Sequence, residues 1–342
     1  MKRVCLIGGV SLAAVACLGA AGAYRHATRD PNLHDPFNRT VGVEMVQRLL
    51  EKTPIAQWRF CRCNPDEELE LTTTTGTRTR ASLFRPTGHS AGSGFVLFHG
   101  RTALGRRMST YRALASALRD AGYWVLVPDL PGFGTSTDPF ASGVPEQLDR
   151  ELEVARAAVE HLAGLLDGGP VFLVGHSRGA GVAFETDRRS EFARGVALIG
   201  PAVAWSAVYS DLDRREYYWR RVRETYAFVY GKPMPSSYTN TDWLETMRDW
   251  PSREDYAEHF SRPDHAPLLI LEAENEEASE SLASVVRSPS RVVTLPADHY
   301  LNTAQSLGFV IYDADGIRSA SDQLTTAFGL SDVALDLAPT RQ

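Results

Sequence analysis

The chain has 342 residues, of which 43% are hydrophobic and 23% are charged, and its formal net charge at pH 7 is -6. This length and composition are ordinary for a globular protein with one large domain or two small ones. Because lysine and arginine form no basic block, the composition argues against a nucleic-acid partner.

The N-terminal segment differs from the rest of the chain. Lys2 and Arg3 precede a run without any charged residue, and this pattern predicts export or membrane attachment. Three interpretations stay open. A signal peptide could end at either of two small-x-small sites, residues 14–16 or 21–23. Cys17 lies in a sequence that resembles the acylation site of bacterial lipoproteins. An uncharged run of about 20 residues is also long enough for an uncleaved membrane anchor.

Beyond this leader the sequence contains one pair of cysteines, Cys61 and Cys63. A disulfide between residues so close in sequence would be strained on an extended chain. No cluster of cysteine and histidine residues has the spacing of a zinc site. We therefore interpret the pair as structurally incidental, and we expect neither a metal nor an organic cofactor.

Apolar runs alternate with helical patterns through most of the chain. A hairpin is predicted at residues 69–75 and 77–84, with Gly76 at the turn. Buried strands are predicted at residues 95–98, 123–127, 171–174, 196–199, 268–271 and 291–295, and helices at residues 111–118, from Pro145 onward, at 180–189 and within 320–328. Because strands that are apolar along their whole length are covered on both faces, the pattern predicts an α/β fold with a mostly parallel central sheet flanked by helices.

Residues 205–260 interrupt this alternation. They show no strand pattern, and they contain 13 of the chain's 32 aromatic residues. We predict an inserted helical cap over the C-terminal edge of the sheet. The predicted organisation is a leader at residues 1–23, a linker and helix at 24–64, a core in two parts at 65–203 and 265–330, a cap at 204–264, and a tail at 331–342.

One short motif carries chemistry. Gly175-His176-Ser177-Arg178-Gly179 follows a predicted buried strand, precedes a predicted helix and fits G-x-S-x-G. In that motif the serine lies on a strained turn that lifts its hydroxyl into the open. We expect both glycines to be required, because a Cβ atom on either flank of so tight a turn would collide with its neighbours.

The order of the motifs resembles the α/β-hydrolase fold family over about residues 65–330. The resemblance rests on His99-Gly100 after one strand, on Asp-Leu-Pro-Gly-Phe-Gly-Thr-Ser at residues 129–136 after the next, on the elbow at 175–179, and on Asp298-His299 after the last strand. It implies the α/β-hydrolase fold and catalytic residues in the order serine, acid, histidine.

The resemblance assigns a role to each candidate catalytic side chain. Ser177 is the expected nucleophile, and His299 is the expected base that takes the serine proton and later protonates the leaving group. The acid that holds the histidine is expected in the loop after the penultimate strand, where Glu276 aligns with it. Glu274 is the second candidate for this acid, and Asp211 is the third.

The resemblance also implies an oxyanion hole made by two backbone N–H groups, those of Arg101 and Arg178. Since both act through the main chain, we expect the Arg178 side chain to serve helix packing or a salt link. We interpret His99 as a residue that shapes its loop rather than as a second base, and Asp129 as structural.

The leading hypothesis is a serine hydrolase that cleaves carboxylic esters of a small or apolar substrate through an acyl-enzyme. One alternative is a peptidase of the prolyl-aminopeptidase type, with Glu224, Glu245, Glu254 or Asp255 of the cap binding a substrate amine. The other is a membrane-tethered binding protein without activity. An aspartate-nucleophile dehalogenase or epoxide hydrolase is disfavoured, because residue 177 is serine. The expected partner is a small molecule, and the sequence indicates no oligomeric state.

Overall fold

The computed structural model describes residues 57–102, 104–136, 144–189, 193–201, 251–262, 268–274, 282–287, 290–306 and 309–328. The predicted leader, most of the predicted linker and helix at residues 24–64, most of the predicted cap and the predicted tail lie outside these ranges. Within them, no helix combines the length and the hydropathy needed to cross a bilayer.

The described residues form two sheets and five α-helices. The strands are β1 (Trp58–Cys61), β2 (Glu67–Thr72), β3 (Arg78–Phe84), β4 (Gly94–Phe98), β5 (Trp124–Pro128), β6 (Val171–His176), β7 (Val196–Ile199), β8 (Leu268–Ala273), β9 (Arg291–Leu295), β10 (Thr303–Ser306) and β11 (Phe309–Asp313). The helices are α1 (Ser109–Asp120), α2 (Val144–Leu165), α3 (Arg178–Arg189), α4 (Arg253–Ser261) and α5 (Ala314–Phe328).

The main sheet has eight strands in the order β2-β3-β5-β4-β6-β7-β8-β9. The six strands from β5 to β9 in this order are parallel, while β2 and β3 form the predicted antiparallel hairpin at one edge. This arrangement confirms the predicted fold class. Strand β6, which leads to Ser177, lies inside the sheet between β4 and β7.

Helices cover both faces of the sheet, as the apolar strands predicted. Along β4, Val96 and Phe98 pack in a core shared with α2 and α3, whereas Phe95 and Leu97 pack in a second core shared with α1 and α5. Strand residues point alternately to opposite faces, so each parallel strand needs apolar residues at every position. Gly122 follows the end of α1 with a φ of 98°, a conformation that glycine adopts without strain.

Helix α4 is the described part of the predicted cap. It begins with a capping box in which Ser252 and Asp255 exchange hydrogen bonds between side chain and backbone. Its Tyr256 is buried, and the ring lies 4.5 Å from the ring of Phe184 on α3. This end of the predicted cap therefore packs directly on the helix that follows Ser177.

The second sheet, in the order β1-β11-β10, was not predicted. Strand β1 falls in the segment interpreted as linker and helix, and β10 and β11 occupy the stretch before the final helix, which itself begins at Ala314 rather than near residue 320. Pairing between β1 and β11 aligns Trp58 with Asp313 and Cys61 with Val310. Because the two strands lie about 250 residues apart in sequence, local patterns give little sign of their pairing.

The interpretation of Cys61 and Cys63 as incidental was wrong. Their sulfur atoms form a disulfide, with the two Cα atoms 5.1 Å apart. Cys63 has a φ of 41°, so the chain turns at this residue instead of running extended. Arg112 of α1 donates a hydrogen bond to the Cys63 carbonyl oxygen (3.2 Å), which ties this turn to the core.

A buried ion pair joins the two helices next to β6. The guanidinium of Arg178, the first residue of α3, donates to both carboxylate oxygens of Glu151 on α2, at 2.8 and 3.3 Å. The side chains of Arg178 and Glu151 are 6% and 0% exposed. Gln147 donates to the same carboxylate (2.9 Å) and to the Pro131 carbonyl oxygen (2.8 Å). The salt link expected for the Arg178 side chain is thus present.

We predict that Glu151→Gln lowers the free energy of unfolding by about 3–5 kcal/mol, because it removes the Glu151 charge from a buried pair with Arg178. The matched control is Glu146→Gln on the same helix, whose pair with Arg150 is largely exposed and should contribute less than about 1 kcal/mol. Urea unfolding of both variants measures the difference. Equal losses of unfolding free energy in the two variants would show that burial does not make the Arg178–Glu151 pair more important for stability than an exposed pair.

Candidate active site

Ser177 occupies the turn between β6 and α3. Its φ is 53°, in the left-handed region that non-glycine residues avoid at a cost of about 1–2 kcal/mol. The turn is held by hydrogen bonds from Ser177 N–H to the Ile199 carbonyl oxygen (2.8 Å) and from Ala180 N–H to the Ser177 carbonyl oxygen (3.0 Å). The strained strand-turn-helix geometry predicted from G-x-S-x-G is therefore present.

The glycines of the motif are needed for the reason that the sequence analysis gave. A Cβ atom on Gly175 would lie 2.1 Å from the Gly179 carbonyl oxygen, and one on Gly179 would lie 2.3 Å from the Phe98 carbonyl oxygen. Both obstacles are backbone atoms, so no side-chain movement could relieve them. Gly100 is also constrained, though less severely, because its Cβ would lie 2.9 Å from the Cβ of Ser177. The loop after β4 thus lies directly against the serine.

His99 shapes that loop, as predicted. It is fully buried, and burial lowers its pKa, so the ring is neutral. Its Nδ1 lies 2.7 Å from the Gly100 carbonyl oxygen and its Nε2 accepts the Leu130 N–H at 2.9 Å, so Nδ1 carries the proton. Because the peptide between Gly100 and Arg101 is planar, holding this carbonyl also orients the Arg101 N–H on the opposite side.

Asp129 is structural, also as predicted. Its carboxylate is fully buried and forms an ion pair with Arg106. It also accepts hydrogen bonds from the backbone N–H groups of Arg106 and Thr135, both at 2.8 Å. All of these donors lie on the loops beside β4 and β5, so Asp129 fixes those loops.

His299 lies on the loop that follows β9, where the sequence placed it. Asp298 organises this loop by accepting the N–H groups of Tyr300 (2.9 Å) and Asn302 (2.8 Å) through one carboxylate oxygen. Leu301 and Asn302 both have positive φ, at 55° and 51°, so the loop curls back tightly. The His299 side chain is half-buried.

The structure brings His299 beside the elbow through the residue that precedes Ser177. Nε2 of His176 lies 2.6 Å from the His299 carbonyl oxygen, and the two imidazole rings are 4.7 Å apart. On its other side, Nδ1 of His176 lies 2.8 Å from the hydroxyl of Tyr111, which accepts the Gly100 N–H at 2.6 Å. His176 and Tyr111 were not singled out from the sequence, where they occupy a variable motif position and an apolar helix face.

Of the candidate acids, Glu276 and Asp211 lie outside the described residues. Glu274 directly follows β8, and its N–H donates to the carbonyl oxygens of Leu295 (3.1 Å) and Ala297 (3.2 Å). The start of the acid loop therefore runs along the chain segment that leads to His299. The Glu274 side chain is exposed.

The remaining predicted residues fall as follows. Arg178 begins α3, where the helix dipole favours negative charge, and the guanidinium of Arg101 lies 5.7 Å from the ring centre of Phe133. Among the residues that the structure describes, no group of three or more His, Cys, Asp or Glu side chains could hold a metal ion.

This geometry defines a class: an α/β protein whose central parallel sheet presents a serine on a strained elbow, with a histidine loop beside it. A sequence model described as the alpha/beta hydrolase family matches residues 95–313, which is more than half of the chain. The chain belongs to the alpha/beta hydrolase family, and the resemblance stated from its motifs is confirmed. A search of curated proteins found no match.

Three solved structures illustrate the similarity in fold: two contain a bound small molecule, and the third is described as a hydrolase. DcsB in complex with its substrate analogue is 14% identical, with 76% of this chain and 97% of that chain covered and a TM-score of 0.54. Est1E from Butyrivibrio proteoclasticus with ferulic acid bound is 16% identical (76% and 99% covered, TM-score 0.51). A hydrolase from Pseudomonas aeruginosa PA01 is 15% identical (78% and 100% covered, TM-score 0.51). These identities show a shared fold alone.

We predict that Gly179→Ala destabilises the protein by at least about 1–3 kcal/mol, because the new methyl group meets the Phe98 and His99 carbonyl oxygens. The matched control is Gly164→Ala on α2, where a Cβ meets nothing within 4 Å. This control should be stabilising by up to about 1 kcal/mol, as expected for glycine to alanine in an open helical position. Thermal unfolding measures both, and a stable Gly179→Ala variant would contradict the close packing at the elbow.

Proposed function

We propose that this protein is a serine hydrolase that cleaves carboxylic esters of a small or apolar substrate through an acyl-enzyme. The observation that supports it is Ser177, held in a left-handed conformation at the elbow, beside a loop that carries His299. A strained backbone conformation costs stability and persists only where the surrounding structure enforces it, and such conformations concentrate at functional sites.

In the proposed reaction, Oγ of Ser177 attacks the ester carbonyl carbon while the His299 imidazole takes the hydroxyl proton. The tetrahedral intermediate collapses, the C–O bond to the alcohol breaks, and the imidazolium returns the proton to the departing alcohol. Water then attacks the acyl-serine with the same histidine as base. This second cycle releases the carboxylic acid and restores Ser177.

Negative charge on the intermediate would be stabilised by the N–H groups of Arg101 and Arg178. The position of Arg178 at the start of α3 supports this role, since helix N-termini favour negative charge. The hydrogen bond that His99 makes to the Gly100 carbonyl oxygen supports the role of Arg101, because it orients the peptide that bears the Arg101 N–H. Donors set in advance in this way need no reorganisation during the reaction.

Of the two alternatives, the aminopeptidase would need cap acids that bind a substrate amine. Asp255 is committed to the capping box of α4, where its carboxylate accepts from the Ser252 N–H and hydroxyl, each at 2.8 Å. Glu254 is exposed in the first turn of α4, and Glu224 and Glu245 lie outside the described residues. The ester hypothesis requires no amine-binding acid in the cap, and it is therefore the one that we adopt.

We further propose that the leader, residues 1–23, directs the protein to export or to a membrane.

We predict that a fluorophosphonate probe labels the full-length protein, purified in mild detergent, and that Ser177→Ala abolishes the labelling. His299→Ala should slow it by at least about 10³-fold, because the serine loses its base. Ser116→Ala and His161→Ala, on α1 and α2, are the matched controls and should label as wild type does. A panel of nitrophenyl esters and aminoacyl amides then separates esterase from peptidase activity. A folded wild-type protein that is not labelled would favour the binding-protein alternative.

We predict that Glu276→Gln lowers kcat for a nitrophenyl ester on the order of 10⁴-fold, because the carboxylate that orients His299 and stabilises its cation is lost. Glu274→Gln is the matched control in the same loop and should change kcat only a few-fold. If the two variants exchanged their effects, Glu274 would be the acid. If neither lowered kcat, the acid would lie elsewhere in the chain.

A further inference from the structure

A chain of hydrogen bonds passes through His176, the buried residue between Gly175 and Ser177. The Gly100 N–H donates to the Tyr111 hydroxyl (2.6 Å), that hydroxyl lies 2.8 Å from Nδ1 of His176, and Nε2 of His176 lies 2.6 Å from the His299 carbonyl oxygen. The chain connects the loop after β4, the nucleophile elbow and the loop after β9.

The direction of each bond follows from the groups involved. A carbonyl oxygen only accepts, so Nε2 of His176 must carry a proton and donate it to His299. Burial, with a smaller contribution from the neighbouring His299, lowers the pKa of His176 to about 3, so at neutral pH the ring holds one proton only. Nδ1 is therefore an acceptor, and the Tyr111 hydroxyl donates to it.

These bonds leave His176 no part in proton transfer. Both ring nitrogens are engaged, and the ring remains neutral throughout the physiological pH range. Replacing such a residue would change the geometry around it rather than the number of protons available at the site.

The bond from His176 completes a clamp on one peptide group. The peptide between His299 and Tyr300 has its N–H held by the Asp298 carboxylate (2.9 Å) and its carbonyl oxygen held by Nε2 of His176 (2.6 Å). Because a peptide is planar, fixing both ends fixes its orientation. That orientation sets the direction in which the backbone of His299 presents its side chain. Asp298 belongs to the same loop, whereas His176 directly precedes Ser177, so the link through His176 joins the loop to the nucleophile elbow.

We propose that His176 is a positioning residue that holds the His299 loop in register with Ser177 by donating Nε2–H to the His299 carbonyl oxygen, while Tyr111 selects the tautomer that can donate. This proposal rests on the proposed function, since it assumes that His299 is the catalytic base. Displacing a catalytic group by about 1 Å can cost about 10²-fold in rate, so the link is of consequence to catalysis.

The test compares two isosteric replacements in the full-length protein. In His176→Gln the amide nitrogen takes the place of Nε2 and can still donate to His299, but the acceptor for Tyr111 is lost. In His176→Asn the amide oxygen takes the place of Nδ1 and can still accept from Tyr111, but the donor to His299 is lost. Each variant removes one of the two bonds, so a purely structural role predicts similar activities.

The proposal predicts that the two variants differ in activity. His176→Asn should lower kcat for a nitrophenyl ester by about 10- to 100-fold with little change in KM, because the base is misplaced while substrate binding is not affected. His176→Gln should lose several-fold less. Equal losses in the two variants, or a loss that appears in KM alone, would overturn the proposal while leaving the proposed function intact. If His299→Ala retained wild-type kcat, the proposed function itself would fail.

A measurement on the wild-type protein keeps the proposal testable if His176→Asn does not fold. The measurement is NMR of protein labelled with 15N-histidine, with the His176 signals assigned by their loss in His176→Gln. We expect a neutral His176 ring, protonated on Nε2, between about pH 5 and 8. A histidine of ordinary pKa changes its charge within this range. A proton on Nδ1, or a titration within this range, would overturn the proposal.

Discussion

The close approach of three backbone segments at Ser177 is the constraint on which the site depends. Residue 179 lies so near the end of β4, and residue 175 so near the start of α3, that neither position has room for a Cβ atom. Only this approach lets the turn place a serine with a φ of 53° against Gly100. The strain at Ser177 is offset by the sheet around it, because β6 pairs on both sides and the Ser177 N–H extends the pairing with β7.

Three histidines meet near this turn, and burial separates their functions. His99 and His176 are enclosed in the core, and each has both ring nitrogens in hydrogen bonds, so each acts as a neutral donor and acceptor that fixes a loop. His299 is half-buried, and a base must be able to exchange protons with substrate or water. The two buried histidines therefore do not compete with the proposed base for its proton.

The sequence alone predicted the parts of the fold that local patterns encode. Continuous apolar strands such as residues 171–174 indicated a sheet covered on both faces, and the glycines flanking Ser177 indicated the tight turn, because both signals lie within a few residues. The pairing of β1 with β11 could not be predicted this way, since it joins distant segments. The disulfide was not predicted because an extended chain would strain it, whereas Cys63 has a positive φ.

The role of His176 was missed for a related reason. His176 matters because it binds the carbonyl oxygen of His299. Every residue has such an oxygen, so the sequence does not indicate which one a side chain will bind. The loop-shaping role of His99 was predicted, but its effect on the oxyanion hole, which we propose acts through the Gly100 peptide, was not. Residues that hold main-chain groups become visible as functional only when coordinates show which peptide they hold.

The charges near the elbow point to how an oxyanion would be stabilised there. Arg178 places a guanidinium one residue after Ser177, and Glu151 neutralises it at 2.8 Å inside the core. A positive side chain that is already paired adds little to the potential felt by a substrate. The proposed oxyanion hole must then depend on peptide dipoles and on the N-terminus of α3. Because an ester is uncharged until the nucleophile attacks, these groups would stabilise negative charge that develops only during the reaction.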